Sequence, residues 1–151
     1  MRSYRGSQTL VPNLTVLLVN NFYCLKGGPE VVMCQEGEGL RRRGHKVIPF
    51  AAQDESNLPS PWSDYFAPAM ALDADAIGLW NGARTAGRFV WNRPAALAAR
   101  RLLQDLRPDV AHAHNVYHQL SPSVLRELAR GVRAERLLGS HRSCVSGYVC
   151  R

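Results

Sequence analysis

What this sequence lacks closes several explanations at once. No apolar run approaches the roughly 18 to 20 residues that a membrane-spanning helix needs. The opening "MRSYRGSQTLVPN" is basic but has neither the apolar centre nor the small-residue cleavage site of a signal peptide. Residues 1–13 therefore read as a disordered leader, and the cytoplasm is the default compartment. Cysteine is scarce: Cys24 and Cys34, then Cys144 and Cys150, with no CxxC unit to build a zinc finger or a dithiol redox site. In a cytosolic chain such thiols are expected to be reduced. GxGxxG is missing, which removes the main support for nicotinamide binding, and so is the GxxxxGK[ST] of a P-loop. There is no internal repeat and no low-complexity tract.

Negative charge is in short supply too, with 12 acidic residues against 19 basic ones in 151. The imbalance is uneven. Through Gly131 there are 15 basic and 11 acidic residues; the last twenty residues add four arginines and only Glu135. The body is thus mildly basic, which suits contact with phosphates or an anionic membrane surface better than wrapping nucleic acid. No nucleic-acid partner is expected.

What is present has an order. "LTVLLVN" (Leu14 to Asn20) is short, almost continuously apolar and rich in valine and leucine, as a strand covered on both faces should be. A helix is expected from Pro29 to Arg43, with proline at its first position and Gly44 to stop it, although Gly37 and Gly39 weaken its centre. "HKVIPF" (His45 to Phe50) reads as a second strand, near an edge or an end because of Pro49. Residues 51 to 92 are less regular. "DESNLPSPWSDYF" is a polar loop, "MALDADAIGLWNGAR" could hold a short helix, and the scattered aromatics Trp62, Tyr65, Phe66, Trp80 and Trp91 suit satellite packing.

From Pro94, "PAALAARRLLQDL" sets Ala95, Ala98, Ala99, Leu102 and Leu106 on one helical stripe. "DVAHAH" (Asp109 to His114) follows as a strand, then a helix that Ser121 can cap, Pro122 can open and Gly131 can end, with Leu120 stapled onto Leu125. Strand, helix, strand, then helix, strand, helix predicts an α/β fold: a Rossmann-like open parallel sheet flanked by helices. The pattern is incomplete after about residue 131.

Two clusters could carry chemistry. In "KGGPE" a strand hands over to a helix whose first N–H groups lack partners, and Gly27 and Gly28 leave the backbone open to a phosphate or carboxylate, with Lys26 beside them. A plain tight turn would need the same glycines. In "HAHNVYH", strand alternation puts His112 and His114 on one face, with His114 nearer the carboxyl end that borders the ligand crevice of open α/β sheets. His114, Asn115, Tyr117 and His118 could hydrogen-bond a polyhydroxylated ligand, whereas His112 reads as a satisfied core histidine. No third ligand of suitable spacing accompanies the histidines, so no metal site is expected. The run Arg41, Arg42, Arg43 complements a helix carboxyl end, and a membrane-surface contact is the alternative use.

Taken in order, "VLLVNNFYCLKGGPEVV", "LRRRGHKVIPF" and "LRPDVAHAHNVYHQLSPSVLREL" resemble the amino-terminal, acceptor-side domain of family-4 glycosyltransferases, which follow the two-domain GT-B plan. The resemblance covers residues 14–131. It implies retaining transfer of a sugar from a nucleotide-sugar donor to a glycan or lipid-linked acceptor, with no cofactor, at the cytoplasmic face of a membrane. It also places Gly27 and Gly28, and the loop carrying His114 and Asn115, on the interdomain cleft, and His118 remains a substrate-binding candidate from the residue pattern. The family's next strand should be apolar and end in a histidine that positions the reacting sugar. Instead residues 132–151, "VRAERLLGSHRSCVSGYVCR", form an atypical basic tail with the look of a reading-frame change. His141 is the candidate there, out of register, so no catalytic residue is assigned. Without the second, donor-binding domain the chain is expected to be an inactive fragment. The alternative is a non-catalytic Rossmann-like module that binds a nucleotide or phosphosugar.

Overall fold

A computed structural model describes residues 13–69, 91–117, 119–132 and 146–147. The leader, the possible short helix after Met70, Trp80, His118 and His141 lie outside the described residues. Strand β1 (Thr15–Val19) leads to helix α1 (Gly28–Arg42) and strand β2 (Lys46–Phe50). After a loop with a 3-10 turn at Ser63–Tyr65 come helix α2 (Arg93–Leu106), strand β3 (Val110–Ala113), helix α3 (Ser121–Gly131) and a two-residue strand β4 (Ser146–Gly147).

All strand pairs are parallel, in the order β2-β1-β3-β4. The chain is an α/β protein with an open, Rossmann-like parallel sheet. The apolar run of β1 is an interior strand, with Leu17 opposite Ile48 on one side and Ala111 on the other. Pro49 lies on the outermost strand, paired only through β1, as the missing N–H of proline requires.

Alternation in β1 divides the core. Leu17 and Val19, with Ile48, Phe50, Ala111 and Ala113, meet Ala95, Ala99, Leu102 and Leu103 of α2 and Val124 and Leu128 of α3. Val16, Leu18 and Val47 face the other way, onto Met33 of α1, with Leu40 packed alongside. Small side chains allow the close approach on both sides. A Cβ on Gly37 would stand 3.3 Å from Leu18 Cδ1, so the glycine that weakens α1 as a helix brings it down onto the sheet.

Helix α3 ends at Gly131, as expected, though not through a left-handed cap. A Cβ there would stand 2.8 Å from Leu103 Cδ1, so the missing side chain also lets α3 lie against α2. Gly44, with φ of 88°, is the left-handed residue that follows α1.

The "LSPS" serines are absorbed by structure. Ser121, at φ of 60°, accepts from Asn92 N–H through Oγ at 2.8 Å and from Ser123 N–H at 3.3 Å, and Ser123 Oγ donates to Asn92 O. Asn92 in turn caps α2 by accepting from Ala95 N–H. The aromatics of the loop also pack: Trp62 and Tyr65 border the larger core, and Phe66 meets Tyr23 edge-on. Among the described residues no helix is long and apolar enough to cross a membrane.

Candidate functional site

Because the strands are parallel, β1 and β3 end at the same rim, and both loops expected to carry chemistry begin there. They are physically joined. Asn20, the first residue past β1, is fully buried. Its side chain donates from Nδ2 to Phe22 O at 3.0 Å and to Glu30 Oε1 at 3.2 Å, and its Oδ1 accepts from Asn115 N–H at 3.1 Å. One amide thus ties the first turn of α1, which follows the glycines, to the residue after His114. Asn21 adds a longer contact, Nδ2 to Asn115 Oδ1 at 3.5 Å, while its own Oδ1 is buried with no partner.

Gly27 and Gly28 differ. Gly28 is exposed, with open space where a side chain would be, whereas a Cβ on Gly27 would run into the Glu30 carboxylate. The amino end of α1 is therefore faced by an anion of its own chain, held by Asn20. Lys26 is exposed beside it.

The histidines turn toward α1. His112 pairs with Leu18 in register, on the face that α1 covers, and its Nδ1 lies 2.7 Å from Glu36 Oε1. His114 Nε2 lies 3.1 Å from Glu36 Oε2, within ion-pair reach but without hydrogen-bond alignment, and is closed off from solvent. The two rings stand 4.4 Å apart. Burial first, then the neighbouring His112, holds the His114 imidazolium below its ordinary range, against the opposing pull of Glu36. His112 is satisfied, as a core histidine should be, although its partner is a carboxylate. Tyr117 is exposed.

Asn20, Asn21, Glu30 and Glu36 escaped the sequence reading. For the asparagines a signal existed: two adjacent amides directly after a buried strand must find partners or leave the backbone orphaned. Glu36 gave a fainter one. It stands three residues after Met33 and four before Leu40, both facing the sheet, so its carboxylate sits beside an apolar stripe.

A cavity of about 550 Å³ lies elsewhere, lined by Arg100, Arg107, Asp109, Glu127 and Arg130 at the amino-end rim. Its charges already pair, Arg100 with Glu127 at 3.0 Å and Arg130 with Glu127 at 3.5 Å, so size alone does not make it the site.

Residues 27–149 match the family described as glycosyl transferase 4-like domain. The chain belongs to that family. The match starts at the twin glycines, takes in the histidine-bearing strand and continues through most of the segment after residue 131. No curated protein and no solved structure matches the chain. A glycosyltransferase-type domain, with sugar donor and acceptor as the substrates of its full-length relatives, is the class in which this rim is to be read.

Proposed function

We propose that this domain forms the acceptor-side wall of a retaining glycosyltransferase, in which a sugar passes from a nucleotide-activated donor to a hydroxyl of a glycan or lipid-linked sugar. The observation that carries the reading is the Asn20 junction, which fixes the glycine turn and the tip of β3 to one another at the carboxyl-end rim. In open α/β sheets that rim borders the ligand crevice. Asn115 and His118 would meet sugar hydroxyls, while His114, its Nε2 buried against Glu36, would support that loop; the amides at Gly27 and Gly28 would face the donor diphosphate.

Glu30 limits that last contact. Two anions cannot share the same helix end cheaply, so a phosphate approaching Gly27 must displace the carboxylate or stop short of it. The positive groups that stabilise a departing diphosphate must then come largely from a second, donor-binding Rossmann-like domain. The 151-residue chain alone is accordingly inactive on this reading. Exposed Arg41, Arg42 and Arg43 at the end of α1 suit a peripheral contact with anionic lipid on the cytoplasmic side.

Titration of the chain with nucleotide sugars, followed by calorimetry and by backbone-amide NMR, tests the reading alongside a turnover assay. Shifts clustered at Gly27, Gly28 and Asn115 without turnover are expected. Turnover by the isolated chain would refute inactivity, and shifts confined to residues away from the rim would remove the crevice. Tight nucleotide-sugar binding by this chain, with no gain on adding a donor-binding domain, would favour the non-catalytic module.

A further inference from the structure

Glu36, His112 and His114 have been described as contacts between α1 and the sheet, but their donor atoms form a set of another kind. One carboxylate oxygen and one ring nitrogen from each histidine all lie within 4.8 Å of one another. We propose that this cluster is a binding site for a borderline divalent cation of the zinc class, held by two imidazoles and one carboxylate. The proposal does not depend on the sugar-transfer reading.

Three observations carry it. The histidines are two residues apart at the end of a strand, so both rings leave the same face, and Glu36 meets them from the helix that covers that face. His114 Nε2 is buried and lies 3.1 Å from Glu36 Oε2 without an aligned hydrogen bond, so a cation placed between the two groups would satisfy both. The separations also fit. Donor atoms around a tetrahedral ion bound at about 2.1 Å stand about 3.4 Å apart. Glu36 Oε1 lies 2.7 Å from His112 Nδ1 and Glu36 Oε2 lies 3.1 Å from His114 Nε2, so the side chains would part by about 0.3 to 0.7 Å to seat the ion.

The chemistry of the set selects the metal. Two nitrogens and one oxygen suit Zn²⁺, Co²⁺ or Ni²⁺, whereas Mg²⁺ and Ca²⁺ prefer all-oxygen shells. The partial exposure of Glu36 and His112 leaves a side from which a fourth ligand, water or a substrate oxygen, can reach the ion.

The test uses the full chain, stripped with chelator and kept reduced, titrated with Co²⁺ and then Zn²⁺. One Co²⁺ per chain is expected, with the visible absorption of a low-coordinate site and no thiolate charge-transfer band, displaced by one equivalent of Zn²⁺ and not by excess Mg²⁺. His112→Gln, His114→Gln and Glu36→Gln should each weaken Zn²⁺ binding at least about tenfold, since even loss of an outer-shell partner costs about 10- to 100-fold. Replacing all four cysteines with serine should leave it unchanged. The site is refuted by the absence of binding, by binding lost with the cysteines, or by binding indifferent to the three substitutions. Should a histidine variant fail to fold, paramagnetic shifting of the His112 and His114 ring protons by Co²⁺ in the unaltered chain decides the question.

Discussion

The two faces of the sheet are built differently. Under α2 and α3 the core contacts are aliphatic and aromatic, and the buried polar groups there, Asn92, Ser121, Ser123 and Glu127, all find partners on those helices or at their amino ends. Under α1 the apolar cluster is small, and the end nearest the rim is given over to Glu36, His112 and His114, with Asn20 and Glu30 beside them. Burying titratable groups costs free energy unless each finds a partner, so the α1 face trades packing for chemistry. The stability of the domain is thus expected to reside mainly on one side and its recognition on the other.

Leu102→Ala should break that contrast most sharply. The side chain is fully buried on the apolar face, and its loss should lower stability by about 2–5 kcal/mol, read as a shifted denaturant midpoint. Asn20→Ala comes next. It orphans a buried carboxylate oxygen and the N–H of Asn115, so a loss of about 1–3 kcal/mol is expected, with amide shifts at both Gly28 and Asn115 in NMR spectra. A variant that perturbs one loop and leaves the other untouched would show that the junction is not the coupling element.

Gly131→Ala sharpens the view of the apolar face. The added methyl meets Leu103 on α2, and about 1–2 kcal/mol should be lost despite the better helix propensity of alanine. Gly39→Ala is its counterpart on α1. Only the flexible Arg43 guanidinium stands near, at 3.4 Å, so thermal denaturation should show a small stabilisation, below about 1 kcal/mol.

The strands and helices were legible because their signals are local and agree. The β1 run, Pro49, Pro94 and Pro122 each mark an element by its own chemistry, and the described elements fall within a residue or two of where those marks put them. Gly131 marked the helix end but not its second use, because a glycine there can serve a left-handed cap or a close approach, and only the neighbouring helix reveals which applies. At the rim, the sequence put Gly27 and His114 on loops that leave parallel strands. It did not reveal Glu36, which lies 76 residues from the histidine it meets and whose partners are set by how α1 is rotated on the sheet. Glu30 over Gly27 was hidden by a similar cause: a carboxylate in the first turn of a helix ordinarily serves the helix dipole, and here it also fills the space in front of the turn.

Pro49 has one more consequence. Lys46 N–H donates to Leu14 O, so alternate amides of β2, at 46, 48 and 50, point inward, while position 49 points to the open side. The ring of Pro49 thus stands where a docking strand would look for a donor, and edge-to-edge polymerisation through that flank is blocked without spending a charge on it. An additional strand is more readily accepted on the opposite flank, where β4 already extends the sheet beyond β3, which gives its assembly a direction.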